Sequence, residues 1–234
     1  MRINKYLSES GITSRRGADK YIDAGRVKIN GKLAELGSRV EEGDNVTVDN
    51  QTITLEKGYV YLKLNKPRGI TSTTERHIKG NIVDFVNHSE RIFHIGRLDK
   101  DSEGLILLTN DGDIVNEILR VENKHEKEYV VSVDRKITDD FIKQMSEGVE
   151  ILDTKTLPAK VTRINDRTFN IVLMQGLNRQ IRRMCEALGY EVRQLRRIRV
   201  MNIVVDDLKL GEWKDLTAAE KEELFRQLDY SPKR

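Results

Sequence analysis

The chain reads as an α+β protein with a small N-terminal module and a larger second domain, and three observations predict this. Strand-like segments outnumber helical ones and do not alternate with them one for one, which disfavours a doubly wound parallel sheet. The charge changes sign early: residues 1–32 hold eight basic and three acidic side chains, whereas residues 33–58 hold six acids against Arg39 and Lys57. Finally, 234 residues with 38% apolar content can fill one sizeable core and a small one.

In the first module Ile3, Tyr6 and Leu7 recur at helical spacing, with Gly11 to end the turn. Ala18, Tyr21 and Ile22 repeat the pattern between Ser14 as N-cap and Gly25 as terminator. Residues 26–29 alternate like a strand, Asn30-Gly31 reads as a tight hairpin turn, and Val46-Thr47-Val48 follows a turn at Glu42-Gly43-Asp44. The module is placed at residues 1–50, a linker without apolar periodicity at 51–58, and the second domain at 59–234. That domain opens with a strand at 60–64, and Asn65-Lys66-Pro67-Arg68-Gly69 should then be a loop. Further strands are expected at 91–95, 105–108, 127–133, 159–164, 168–173 and 192–200. Helices fit 113–119, 138–147 and 178–188, and Thr217-Ala218-Ala219-Glu220 is a capping box for a last helix through residue 228.

Composition narrows the function. No run of about 18 apolar residues exists, and Met1-Arg2-Ile3-Asn4-Lys5 lacks the apolar stretch of a signal peptide, so a soluble cytoplasmic protein without membrane contact is expected. Cys185 is the single cysteine and His77, His88, His94 and His125 show no ligand spacing, so neither a disulfide nor a metal cluster is expected. The chain as a whole is only +3, yet residues 175–199 carry seven arginines and two glutamates. Such local concentration in a near-neutral protein points to a phosphate backbone.

If residues 178–188 are helical, Ile181, Met184, Cys185 and Leu188 form one apolar stripe. Arg182 then sits beside the stripe, either reaching inward or snorkelling at its boundary, while Arg179 and Arg183 fall on the opposite face, suited to phosphate or solvent. The other notable segment is the acid-rich loop that holds Asp99, Asp101 and Glu103 among Arg97 and Lys100, between two apolar strands. Taken alone it fits a divalent-metal site, a single catalytic carboxylate, or a polar connection whose charges pair with each other.

Two resemblances sharpen these readings. The order of helix, Thr13-Ser14-Arg15-Arg16, second helix and Gly25-Arg26-Val27-Lys28-Ile29-Asn30-Gly31 resembles the alpha-L RNA-binding motif. It implies RNA contacts from Arg15, Arg16, Lys20 and Lys28, which charge alone would read equally as a solvated basic face. Next, Gly96-Arg97-Leu98-Asp99-x-x-Ser102-x-Gly104-Leu105 with Leu108-Thr109-Asn110-Asp111-Gly112 resembles the signature of pseudouridine synthases. Asn65-Lys66-Pro67-x-Gly69, Lys127-Glu128-Tyr129, Gly176-x-x-Arg179-Gln180-Ile181-Arg182-Arg183-Met184 and Leu195-Arg196 follow in the family's order. The branch is the one that modifies ribosomal RNA, with small-subunit synthase A and large-subunit synthases B, E and F, and the run from Gly176 to Glu186 is most similar to that of synthase F. Ser102 stands where threonine is more usual and keeps a hydroxyl.

The resemblance covers essentially the whole chain. It implies a catalytic domain with a mainly antiparallel mixed central sheet flanked by helices. It implies Asp99 as the essential aspartate, Tyr129 as the aromatic that stacks on the target base, Arg182 as the partner of Asp99, and Leu195 as an apolar pocket wall. Lys66, Arg68 and Arg97 would line the RNA channel. The reaction breaks the bond between uracil N1 and ribose C1′, turns the base and joins C5 to the same carbon, with no redox change, so no cofactor and no nucleotide are expected. One carboxylate can serve, by attack on C1′ or by removal of H2′. Desolvation beside a bound uridine would favour its protonation, and a guanidinium opposes that. The expected partner is large-subunit ribosomal RNA and the expected state a monomer. Small-subunit rRNA or tRNA as substrate, a non-catalytic RNA-binding or assembly protein, and a metal-dependent nuclease using Asp99, Asp101 and Glu103 are the competing readings.

Overall fold

The computed structural model describes residues 1–55, 58–120 and 124–232. The first module begins with α1 (Ile3–Glu9) and α2 (Arg15–Asp23), continues through β1 (Val27–Ile29), β2 (Lys32–Leu33), β3 (Val46–Val48) and β4 (Gln51–Ile53), and forms a sheet of order β2-β1-β3-β4. Ser14 Oγ accepts from the Gly17 N–H at 3.0 Å and fixes the start of α2. Asn30 and Gly31 both take positive φ, the requirement of the tight turn between β1 and β2. Ile3, Leu7, Ala18 and Ile22 from the helices meet Val27, Val46 and Val48 in one core. The linker expected from Gln51 is corrected here: Gln51–Ile53 pairs antiparallel with β3, and Glu56 and Lys57 of that stretch lie outside the described residues. Three residues with one apolar side chain carry no periodicity to reveal such a strand.

The second domain runs β5 (Tyr61–Lys66), α3 (Ile82–Val86), β6 (Phe93–Ile95), β7 (Glu103–Thr109), α4 (Gly112–Leu119), β8 (Lys127–Val133), α5 (Asp139–Glu147), β9 (Glu150–Ile151) and β10 (Thr154–Lys155). It continues through β11 (Lys160–Asn165), β12 (Thr168–Leu173), α6 (Gln180–Ala187), β13 (Val192–Val200), β14 (Ile203–Val204), β15 (Trp213–Asp215) and α7 (Ala218–Leu228). The central sheet has order β11-β12-β8-β13-β7-β5-β15. Among its described strand pairs only β13 with β7 is parallel, so the sheet is mixed and mainly antiparallel.

The helices cover both faces of this sheet. Leu105 and Leu107 of β7 pack with Ile114 and Ile118 of α4 and Leu224 of α7, whereas Ile106 and Leu108 pack with Leu62, Leu64 and α3. A strand buried on both faces explains the unbroken apolar run at 105–108. The β8 and β12 half packs against α5 and α6 through Phe141, Met145, Ile181 and Met184. Thr217 and Glu220 form the expected capping box of α7. Cys185 is fully buried in the core, and burial pushes its thiol up to about 12.

Two boundaries differ from expectation. β5 extends through Lys66 instead of turning at Asn65, because Asn65 and Lys66 continue the ladder to Leu105 and Gly104. Helix α6 starts at Gln180, not at residue 178, because Arg179 adopts the left-handed conformation (φ 50°, ψ 33°) at the N-cap.

Candidate active site

Asp99 lies on the loop between β6 and β7, and the loop is tied to the segment after β5. The Leu98 N–H donates to Ser72 Oγ at 3.2 Å, and Ser72 Oγ donates to the Leu98 carbonyl at 2.8 Å. The Gly69 N–H donates to the Lys100 carbonyl at 2.8 Å, and the Ser102 N–H returns to the Asp99 carbonyl at 3.0 Å. Leu98 is buried against Leu62 and Leu64, so the apolar residue anchors the loop while the Asp99 side chain stays 34% exposed.

Asp99, Arg97, Tyr129, Arg179, Arg182 and Leu195 line one cleft of about 580 Å³. Arg179 Nη1 stands 3.5 Å and Arg182 Nε 3.9 Å from Asp99 Oδ2. Both are ion pairs at longer than hydrogen-bond distance. Arg182 Nη2 donates to the Asp101 carbonyl and to Ser102 Oγ, each at 3.2 Å, which explains the use of the hydroxyl at position 102. The buried Arg182 Nε makes no hydrogen bond among the described residues, and burial together with Arg179 pulls this guanidinium below its ordinary value. A closure of about 1 Å would turn the contact to Asp99 into a charge-assisted hydrogen bond.

The placement of Arg179 corrects the helical-phase expectation. Since α6 begins two residues later and Arg179 is left-handed, its side chain turns to Asp99 instead of to the outer face. Arg183 does stay outside, donating to the Asn178 carbonyl at 3.1 Å and to its side chain at 3.2 Å.

Lys66 is corrected more strongly. It is fully buried, its Nζ donating to the carbonyls of Pro67 and Ile70 at 3.0 Å each, so it cannot wall an RNA channel. Its charge instead acts on Asp99 through the protein, and burial lowers its own pKa to about 8. Between that value and the ordinary lysine value the unfolded chain binds a proton that the folded chain does not, so the Lys66 contribution to stability grows with pH in that window. In urea unfolding, wild type should therefore gain roughly 2 kcal/mol more than Lys66→Met on going from about pH 7.5 to about pH 9.5.

Of the other expected residues, Arg68 is partly exposed, lying 3.6 Å from Glu103 and donating to the Arg193 carbonyl at 3.0 Å. Asp99, Asp101 and Glu103 do not converge: the Glu103 carboxylate is also held by Gln194, and no group of three acid, histidine or cysteine side chains among the described residues is placed to share a metal ion. In the first module Arg15 and Arg16 are exposed and line a second cleft with residues 74–76 and 88–92. Lys20 is exposed and Lys28 is half-buried, with its Nζ donating to Asn50 at 3.0 Å.

Register across the sheet reveals what the sequence reading missed. Lys66 pairs with Gly104, Gly104 with Arg197, and Arg197 with Tyr129, a row across four adjacent strands. Arg197 is 3% exposed and lines the cleft. Gly104 has φ +105°, and a Cβ there would meet the Arg197 carbonyl oxygen at 2.1 Å. The sequence pattern starts this strand only at residue 105, whereas β7 begins at Glu103, so Gly104 lies inside it, where a glycine marks close backbone approach.

A base-sized cleft around a carboxylate, in a fold that also carries a basic N-terminal module, belongs to the class of enzymes that act on nucleotides in RNA. The RNA pseudouridylate synthase family model matches residues 60–187 and the S4 domain model residues 1–46. The chain is 56% identical to the dual-specificity RNA pseudouridine synthase RluF of Escherichia coli, covering 99% of this chain and 80% of that protein. It is 34% identical to the ribosomal large subunit pseudouridine synthase B of Bacillus subtilis, over 98% and 97% of the two chains. A solved pseudouridylate synthase superposes with a TM-score of 0.71 at 29% identity, over 96% of this chain and 99% of that one. The chain belongs to the RNA pseudouridylate synthase family and is an isomerase that converts uridine to pseudouridine.

Proposed function

We propose that this isomerase acts on a uridine in large-subunit ribosomal RNA, with Asp99 as the catalytic carboxylate, Tyr129 as the platform for the extruded base and Leu195 as the apolar wall. The observation that carries the reading is the convergence of Asp99, Tyr129, Arg182 and Leu195 on one cleft from four different elements. A uridine inside a stack hides the atoms that react, so the target must be flipped out, and an aromatic platform supplies roughly 1–3 kcal/mol per base. Arg182 and Arg179 set two positive charges against the Asp99 carboxylate, at 3.9 and 3.5 Å, where the base displaces water. Arg97 guides the strand at the mouth of the cleft, Arg183 meets phosphate outside it, and Arg15, Arg16, Lys20 and Lys28 hold more distant RNA. The enzyme works as a cytoplasmic monomer without a cofactor.

The dual-specificity name of the 56% identical relative favours a second RNA substrate as well, and tRNA or small-subunit rRNA is the candidate. Tritium release from 5-tritiated uridine separates these arms. Incubation with purified large-subunit rRNA should release tritium in near-stoichiometric amounts, with a smaller or slower release from tRNA. Release from tRNA or small-subunit rRNA alone would overturn the large-subunit reading, and no release from any of the three would overturn the activity on RNA of this kind.

A further inference from the structure

Besides Arg97, the cleft wall carries two cations that the arrangement around Asp99 does not use. Arg197 is buried, and its Nε donates to the Leu105 carbonyl at 2.7 Å. Lys127, from the neighbouring strand, also lines the cleft, and among the described residues its Nζ donates to the His125 carbonyl alone, at 3.4 Å. Among the described residues neither enters an ion pair, and burial, with the nearby charge of Arg197, lowers the pKa of Lys127. Two like charges, one buried and one partly buried, with no acid paired to either among the described residues, are costly to the fold, and an anion placed between them offsets that cost.

We propose that Lys127 and Arg197 form an anion subsite for a phosphodiester of the RNA strand next to the flipped uridine. This rests on the reading of the cleft as the uridine site. Position favours the phosphodiester over the reacting base. Lys127 lies two residues from Tyr129 on the same face of β8, about 6.6 Å along the strand from the stacking platform. That is the reach from a base to its backbone. The apolar Ile118 and Leu119 of α4 also line the cleft, so the two cations stand beside a partly apolar wall. RNA supplies the neutralising charge on binding, so the subsite contributes to affinity and to its salt dependence.

The test reads binding, so it stays informative even if turnover on a chosen RNA fails. A large-subunit rRNA fragment ethylated at random single phosphates is partitioned between bound and free pools, once with wild type and once with Lys127→Met. One interference position, within two nucleotides of the uridine that becomes pseudouridine, should disappear in the variant while the others persist. The slope of log K against log salt should fall by about one unit. Lys127→Arg should restore both, which separates the charge from packing. An interference pattern and salt slope identical to wild type would overturn the subsite. Unchanged binding with slowed tritium release would overturn it too, in favour of cations that act on the departing uracil. No tritium release from wild type would instead count against the proposed substrate, with the binding comparison still deciding the subsite.

Discussion

Asp99→Asn is expected to lower single-turnover tritium release by about 10⁴-fold or more, equivalent to about 5.5 kcal/mol of transition-state stabilisation. Both routes open to the reaction need an anionic oxygen, to attack C1′ or to take H2′, and a carboxamide supplies neither. The fold should tolerate the change. The side chain is 34% exposed and its pairs with Arg179 and Arg182 are 3.5 and 3.9 Å long, so their loss costs at most about 1 kcal/mol. RNA affinity should stay the same or increase slightly, since removing the negative charge leaves both arginines free to meet phosphate. The expected signature is therefore loss of turnover with binding retained, measured by tritium release and filter binding on the same preparation. No neighbouring acid can substitute, because Asp101 is 71% exposed at the loop surface and Glu103 is held by Gln194 and Arg68. Release within tenfold of wild type would show that the reacting carboxylate lies elsewhere.

The parts of the fold legible in the sequence are those with local signals. Lys127–Val133, Thr168–Leu173 and Val192–Val200 are strands as expected from their composition, and α7 begins where Thr217 and Glu220 place it. The acid-rich loop was recognisable because its motif is contiguous. What stayed hidden depends on long-range pairing. β13 carries Arg193, Arg196, Arg197 and Arg199, and nothing in that run says which arginine faces the cleft. Only the register that places Arg197 opposite Tyr129, with a bulge between Arg197 and Arg199, decides it. The proline and glycine that follow Lys66 signal a loop, whereas its place in β5 is set by pairing with Gly104. Helical phase does not carry to Arg179, which precedes the start of α6 and has positive φ. In each case the residue type is legible in the sequence and its direction is not, since direction is set by backbone conformation and by partners distant in sequence.

Gly104 is where that long-range geometry is most exposed to a single change. Gly104→Ala should destabilise the protein by about 3–5 kcal/mol, the sum of a strained positive φ and an overpacked contact. The contact cannot relax by moving a side chain, because the added Cβ meets the backbone oxygen of Arg197 at 2.1 Å and its nitrogen at 2.8 Å. The strands themselves would have to separate. β7 and β13 form the one described parallel pair, two residue pairs long, and they join the β11-β12-β8-β13 half of the sheet to the β7-β5-β15 half. The candidate site straddles this seam: Tyr129, Leu195 and Arg182 come from the first half and Asp99 with Ser102 from the second. Parting the halves by even 1 Å would pull Arg182 away from Ser102 and Asp99, a displacement that typically costs about 10²-fold in rate. A melting temperature lowered by roughly 10 °C should thus accompany a loss of tritium release measured well below the melting range. By contrast Gly112→Ala, where a Cβ meets nothing within 4 Å, should leave both unchanged. If Gly104→Ala retained wild-type stability, the close approach of β7 to β13 would be refuted. If it lost stability but kept full turnover at low temperature, the seam would be structural only, and the site would not depend on the registration of the two halves.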